Sequence, residues 1–309
     1  MMPLTVRPEK NNTCAVVITY QPDDGLPGRI AHICDVTDRV VIVDNQSTGT
    51  AFETLGEVLK NPGIKLIRND RNLGIAAALN QGIREAWANG YRWVITFDQD
   101  TIVRQNLLRE LQSVYDCIPD KRQIAIIGCN YWDPIREQTL VPVSWSGSWI
   151  ERRSVTTSGS LMSLAAFDII GPFLCDLFID HVDDEYCLRA RSKGFKIVLA
   201  MQPLMEHSLG PGRTHATIWG AISTSDYPPV RWYYMTRNHF ILTRRYLFKE
   251  PRWIIAGLVY RVIMFSKMLW LEKNRIAKAR QAALGLIDGL CSGARIRVKS
   301  TFTGRIAPC

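Results

Sequence analysis

The sequence predicts an α/β fold on a mixed central sheet, with a helical extension at its C-terminal end. Three observations lead there. Over the first hundred residues short apolar runs alternate with amphipathic ones, the pattern of a parallel sheet covered by helices on both faces. From about residue 124 the runs alternate in polarity between turn residues, which adds antiparallel strands to that sheet. From about residue 226 onward the chain is basic and carries a long apolar stretch of helical length.

The elements follow in order. CAVVITY (14–20) reads as a buried strand, and a Pro/Gly-containing link leads into a short helix near 26–35. RVVIVDN (39–45) is the next strand, followed by a helix near 50–60 and the strand IKLIRN (64–69). GIAAALNQGIREAWANG (74–90) has Ala, Leu and Ile at helical spacing and closes on Gly90, before a strand at 93–97. Ligands of such sheets bind outside the carboxyl ends of the strands, where Tyr20, Asp44 with Asn45, Asn69, Asp98 and Asp100 all fall. A dinucleotide fold would share this layout, but the turn after the first strand reads QPDDG and lacks the glycine cradle for a pyrophosphate.

IAIIGCNYWDP and QTLVPVSWSGSWIERR supply the antiparallel strands, and SGSLMSLAAFDIIG leads from a strand into a short helix. Ser158, Gly159 and Ser160 are small enough to let a ligand approach the backbone; a simple loop is the alternative. Residues 176–200 read as a helix with acids at its start, closed by Gly194, then the strand KIVLA. In PLMEHSLGPGRTH (203–215) His207 stands beside a Gly/Pro-rich loop of the kind that closes over a substrate.

Two acidic groups carry the chemistry. Asp98 and Asp100 sit at i and i+2 after the strand WVITF, on one side of an extended backbone, where their charges repel unless a cation or donors lie between them. Magnesium takes such carboxylates together with substrate phosphates, and an imidazole beside the pair, His207, suits manganese. The helix dipole explains acids at the start of the helix closed by Gly194, but not why Asp180, Asp183, Asp184 and Glu185 crowd six positions. A carboxylate there can serve as a general base.

With 47% hydrophobic and 22% charged residues the chain is an ordinary globular protein. The N-terminal MMPLTVRPEKNN has no apolar core, so no secretory signal is expected. Eight cysteines are scattered without a C-x-x-C pair, which signals neither a zinc site nor a disulfide framework and suits a reducing cytoplasm. From Arg231 to the end, 16 Lys and Arg face three acids, a net of +13 within a chain total of +9. WIIAGLVYRVIMFSKMLWL (253–271) is long enough to span a bilayer, yet Arg261 and Lys267 lie inside it. A helix in the interface of an anionic membrane suits this better, with Trp253, Trp270 and Lys273 near the headgroups. Packing on the catalytic domain is the alternative, and one helix can do both. Arg231, Tyr233, Tyr234, Arg237 and Asn238 are candidates to contact an acceptor's phosphate or sugar; a packed amphipathic helix accounts for them equally. No nucleic-acid partner is expected, because the tail's charges interleave with apolar residues and carry no reading motif.

These segments together resemble the inverting GT-A glycosyltransferases of family 2, and within them the bacterial rhamnosyltransferases. The resemblance spans nearly the whole chain and rests on VVITYQP, VVIVDNQS, NDRNLGIAAALNQGI, the D-x-D of TFDQD, FIDHVDDEYCLRARSKGF, the H-x-x-G of HSLG, and RWYYMTRN with ALGLIDGL. Each motif alone is weak; their order and spacing are specific. It implies a GT-A catalytic domain, Rossmann-like and nucleotide-binding, over residues 12–225, with a nucleotide-sugar half at about 12–102 and an acceptor and base half at about 103–225. Residues 226–309 would form the basic helical region, peripheral on the cytoplasmic face of the inner membrane.

By the same resemblance Thr19, Tyr20, Asp44, Asn72 and Asp98 bind the donor, Asp100, Asp98 and His207 hold Mg²⁺ or Mn²⁺, and Asp183 is the general base. Many relatives have Glu-Asp at the base position, whereas Val182 precedes Asp183 here and Asp184 follows, so Asp184 is held in reserve; Glu185 would position groups or cap the helix. The implied activity is transfer of L-rhamnose from dTDP-L-rhamnose to a saccharide or lipid-linked saccharide of a bacterial surface polysaccharide. Another nucleotide sugar, a hexose or galactofuranose donor, is the alternative. A more distant one is a haloacid-dehalogenase-type phosphatase, whose D-x-D-x-T/V start FDQDTI nearly matches, though Ile102 stands at the Thr/Val position and three strands precede the motif.

Overall fold

The computed structural model describes residues 5–143, 147–207, 212–217 and 220–291. The glycine/proline loop after His207, with the rest of its H-x-x-G signature, falls on 208–211, and the end of the basic tail on 292–309; both lie outside the described residues.

The first seven elements are β1 (Thr13–Thr19), α1 (Leu26–Val36), β2 (Val40–Asp44), α2 (Thr50–Val58), β3 (Ile64–Arg68), α3 (Ile75–Ala88) and β4 (Trp93–Asp98). Their strands run parallel in the order β3-β2-β1-β4. Every residue of β1 and β2 is buried, which is why they read as unbroken apolar runs and not as alternation. Cys14, Val16 and Ile18 face one core with α3, while Ala15 and Val17 face the other with α1 and α2. Gly82 lets α3 sit down on the sheet, since a Cβ there would lie 2.3 Å from Val16 Cγ1.

The second half adds β5 (Ile102–Val103), α4 (Leu107–Cys117), β6 (Ile124–Asp133), β7 (Gln138–Thr139), β8 (Trp149–Arg152), β9 (Ser160–Ser163), α5 (Leu164–Ile170), α6 (Val182–Ser192) and β10 (Lys196–Glu206). β9 runs antiparallel between β4 and β6, and β10 lies parallel to β6. The two-residue β5 pairs antiparallel with the end of β10, Met205 opposite Val103 and Glu206 opposite Ile102. The sheet therefore changes direction beside β4, where a crevice opens at the strand ends. Among the described residues six cysteines are free and Cys175 is disulfide-bonded, a bond that the spacing did not signal.

A small hairpin, β11 (Arg213–Thr217) with β12 (Gly220–Thr224), precedes three helices: α7 (Pro229–Tyr246), α8 (Pro251–Leu271) and α9 (Arg275–Cys291). Two glycines of the ALGLIDGL segment allow α9 to press against α7: a Cβ on Gly285 would lie 2.3 Å from the carbonyl oxygen of Tyr233, and one on Gly289 2.7 Å from that of Arg237. Lys278 is buried between Asp226 (2.7 Å) and Glu272 (2.8 Å), tying the entrance of α7 to the turn between α8 and α9. α8 has a mean hydropathy of 1.7 in its most apolar window, of which 11% is buried. Trp253, expected near the headgroups of an interfacial helix, is not presented outward. Trp253 packs on the core and Arg261 turns into the crevice, while Trp270 is exposed.

Gly285→Ala should destabilise the fold by about 1–3 kcal/mol, the range for overpacking a close contact, and lower the midpoint of a urea melt. Gly28→Ala is the control. Its Cβ would meet nothing within 4 Å in the first turn of α1, so the same substitution should be neutral or stabilising.

Candidate functional site

One cavity of about 730 Å³ lies at the carboxyl ends of β1 and β4 and is closed on its other sides by α6, α7 and α8. Its first corner is built by strand ends. β4 delivers Asp98, the turn that follows delivers Asp100, and β10 ends beside them with His207, whose backbone N–H donates to the carbonyl of Trp132 (3.0 Å). The β5–β10 pairing makes these segments neighbours. His207 Nε2 is 3.8 Å from Asp98 and its Nδ1 3.6 Å from Asp100. One ligand atom from each of the three side chains falls within 4.8 Å of the others. Two carboxylates and an imidazole at that spacing fit a divalent cation of the Mg²⁺/Mn²⁺ kind. Burial raises the Asp98 carboxyl above its usual range, against the nearby His207 and with the help of Asp100's charge.

The turn is held from behind. Ser158 Oγ accepts from the Asp98 N–H (3.2 Å) and shares a 2.6 Å hydrogen bond with Thr101 Oγ1. A Cβ on Gly159, whose φ is +74°, would meet Met205 Sδ at 2.5 Å. The small Ser-Gly-Ser segment thus supports the acidic turn and makes room for β10; Thr156 and Thr157 line the cavity in its place. Gln99, between the two aspartates, forms a reciprocal pair with Tyr20: its Oε1 accepts from the Tyr20 N–H (2.8 Å) and its Nε2 donates to the Tyr20 carbonyl (3.2 Å).

Of the residues expected to bind a donor, Thr19, Tyr20, Asn72 and Asp98 line this cavity. Asp44 does not. It is fully buried behind Thr19, accepting from Thr19 Oγ1 (2.9 Å) and from the Ser47 N–H (2.8 Å). Asn45, expected at a strand's carboxyl end but not among the donor-binding residues, faces the cavity and anchors the 72–74 turn through Leu73 N–H and the Gly74 carbonyl.

Across the cavity stands the first turn of α6. Asp183 and Asp184 both face inward, but their settings differ. His181 Nδ1 donates to Asp184 Oδ2 (2.7 Å), and this bond keeps the Asp184 carboxyl below its usual range in spite of burial. Asp183 accepts the Asp184 N–H (2.9 Å), and burial next to Asp184's charge pushes its carboxyl well above the usual range. Glu185 turns away: it pairs with Arg189 (2.9 Å) and accepts from Tyr246 (2.9 Å), fastening α6 to α7.

The loop before α6 is contorted. Phe178, Asp180 and His181 have φ of 58°, 62° and 63°, a region that costs non-glycine residues about 1–2 kcal/mol each. Asn238, fully buried on α7, holds it by donating to the carbonyls of Leu177 (2.8 Å), Ile179 (2.8 Å) and Asp180 (2.9 Å). Arg231 pairs with Asp180 (3.1 Å) and lines the cavity. Tyr234 and Arg237 do not line it. Tyr234 stacks on Phe178 with ring centroids 5.0 Å apart, and Arg237 donates to the Asp176 carbonyl (2.7 Å).

Residues 14–131 match the model of the glycosyl transferase family 2. Over 300 residues the chain is 30% identical to the dTDP-rhamnosyl transferase RfbF of Shigella flexneri, covering 91% of this chain and 96% of that protein. The mannosyltransferase PcManGT of Pyrobaculum calidifontis, solved with GDP-Man and Mn²⁺, has the same fold with a TM-score of 0.57 at 15% identity, over 93% of this chain and 89% of that one. TarS of S. aureus aligns with a TM-score of 0.56 at 13% identity over 92% of this chain. The chain spans about half of that TarS chain, 49%. The mixed sheet with flanking helices is the GT-A fold.

Because the folded state raises the Asp183 pKa above its unfolded value, near 3.9, this side chain adds stability that is complete below that value and lost as pH rises through the folded one. Asp183→Asn should therefore be more stable than the wild type at pH 8, with a difference in melting temperature that shrinks toward pH 4. Thermal melts at both pH values check this; a variant less stable than wild type at pH 8 would contradict it.

Proposed function

The chain belongs to the glycosyl transferase family 2, and from that premise we propose that it moves L-rhamnose from dTDP-L-rhamnose to a saccharide or lipid-linked saccharide, with inversion at the anomeric carbon. The observation that supports the reaction is the meeting, in one cavity, of the Asp98–Asp100–His207 corner with Asp183 on the opposite wall, a carboxyl that burial shifts well above the usual range. The donor sugar rests on the near full-length likeness to RfbF.

In this reading residues 12–225 carry the chemistry. Thr19, Tyr20, Asn72 and Asn45 line the floor on which the nucleoside would lie, with Asp44 setting Thr19 from behind. Asp98, Asp100 and His207 would hold Mg²⁺ or Mn²⁺, which when bound neutralises charge on the leaving diphosphate. Asp183 takes the proton of the acceptor hydroxyl as that oxygen bonds to the anomeric carbon. The bond to the diphosphate breaks on the opposite face, and dTDP leaves with its electron pair. A carboxylate that holds a proton more tightly than usual is the better base for this step. Asp184, already engaged by His181, serves the geometry of the turn.

Residues 226–309 would place the enzyme at a membrane. Ile255, Val259, Val262 and Trp270 are all more than half exposed on α8, and Phe248 beside it is 96% exposed. Lys249, Arg252, Lys267 and Lys273 flank or interrupt this stretch of the chain, a composition suited to the cytoplasmic face of an anionic inner membrane. A phosphatase reading loses its footing, since Asp98 shares its corner with His207 at the end of a GT-A sheet. Another nucleotide sugar remains the competing donor, because the same fold in PcManGT was solved with GDP-Man.

Incubated with dTDP-rhamnose, UDP-sugars and GDP-Man, the protein should release nucleoside diphosphate from dTDP-rhamnose at least ten times faster than from the others. Release should need Mg²⁺ or Mn²⁺ and fall 100-fold or more in Asp100→Ala, within the range for losing charge stabilisation of a leaving group. Preference for another donor would keep the reaction and overturn the sugar.

A further inference from the structure

The α8 wall of the cavity is formed by Tyr260, Arg261 and Met264. Arg261 is the unusual member. Among the described residues its guanidinium makes one polar contact, to Nε2 of His181, and its Nε is buried with no partner. His181 gives its Nδ1–H to the Asp184 carboxylate, which can only accept, so Nε2 is the accepting nitrogen. That contact engages one of five N–H donors. Arg231, by contrast, is bidentate on Asp180.

A guanidinium stays charged in a protein, and a buried charge is costly without a partner. Burial indeed makes the Arg261 proton easier to lose than in an ordinary arginine. Since the group faces a cavity, a ligand can supply the missing partner. Electrostatic neighbours give its position along that cavity. Asp98 feels Arg231, whereas Asp184 feels Arg261; Asp180 lies between, paired with Arg231 and within the influence of Arg261. Arg261 is therefore on the Asp183–Asp184 side, away from the corner where a donor's diphosphate would meet Asp98 and Asp100.

We propose that Arg261 forms a second anion subsite, which holds a phosphate or diphosphate group of the acceptor beside Asp183. The planar fork of an arginine matches phosphate oxygens in pairs. Asp180 is neutralised by Arg231, and Asp183 keeps its proton to a higher pH than usual, so the negative charge near the subsite is less than the number of carboxylates suggests. The outer face of α8 is apolar, which places such a group directly under a surface fit for a lipid tail. This inference rests on the transferase reading for the role of the anion, not for its binding.

The test is calorimetric titration of the full chain in EDTA, with dTDP saturating the donor end, using inorganic pyrophosphate and farnesyl diphosphate as probes. Both should bind the wild type, and Arg261→Ala should weaken both about 10-fold or more, while Arg261→Lys, which keeps the charge but loses the fork, should bind both between the wild type and Arg261→Ala. Farnesyl diphosphate binding tighter than pyrophosphate assigns the subsite to a lipid-borne phosphate; equal binding assigns it to a phosphate without a lipid. Unchanged binding in Arg261→Ala, with a normal thermal melt, would overturn the proposal and leave Arg261 as a counter-charge for Asp184 across His181. Donor hydrolysis by the wild type, measured alongside, separates that failure from a failure of the transferase reading.

Discussion

Five carboxylates, Asp98, Asp100, Asp180, Asp183 and Asp184, face one cavity, and much of the surrounding structure answers the cost of holding that charge in partly buried space. The solutions differ along the cavity. His207 comes within 4 Å of both Asp98 and Asp100. Arg231 neutralises Asp180, and His181 hydrogen-bonds Asp184. For Asp183 no ion pair is present among the described residues, and burial beside Asp184's charge pushes its carboxyl well above the usual range. One crowded set of like charges is thus divided into a corner that fits a divalent cation and, opposite it, a carboxyl of raised proton affinity.

The fold delivers these groups by joining distant stretches at short elements. Two residues of β5 against the end of β10 bring the acidic turn beside His207. The Ile75 N–H donates to the Phe178 carbonyl (2.7 Å), and a Cβ on Gly74 would strike Phe178 at 2.6 Å. The turn after β3 and the loop before α6 are thereby locked together in the cavity wall. Three left-handed residues in that loop store strain which α7 restrains through Asn238. The helices after the sheet are therefore part of the site's construction.

The order of strands and helices was legible because burial on both faces leaves unbroken apolar runs, and amphipathic helices between them leave a 3.6-residue period. The Asp98–Asp100 pair was legible because carboxylates at a strand end are conspicuous, and His207 because it too follows a strand. Other roles depend on contacts that no local pattern encodes. Gln99 clamps a backbone 79 residues away, and Asn238 reaches carbonyls 58 to 61 residues back. Asp44 reads as a strand-end ligand, yet two hydroxyls and a backbone N–H enclose it. Arg261 inside an apolar helix reads as an obstacle to membrane insertion; the sequence does not show that this face turns inward to a cavity. Glu185 reads as a helix-start acid, and only the packing of Arg189 and Tyr246 reveals its buried pair.

The assignment of distinct tasks to two adjacent carboxylates is the account's central claim, and parallel kinetics of Asp183→Asn and Asp184→Asn test it most directly. Transfer to acceptor and affinity for dTDP would be measured for each. The account predicts that Asp183→Asn loses transfer by about 1000-fold or more, within the range for removing a general base, with dTDP affinity unchanged, while Asp184→Asn keeps measurable transfer. Abolition of transfer by Asp184→Asn, with activity retained in Asp183→Asn, would contradict it.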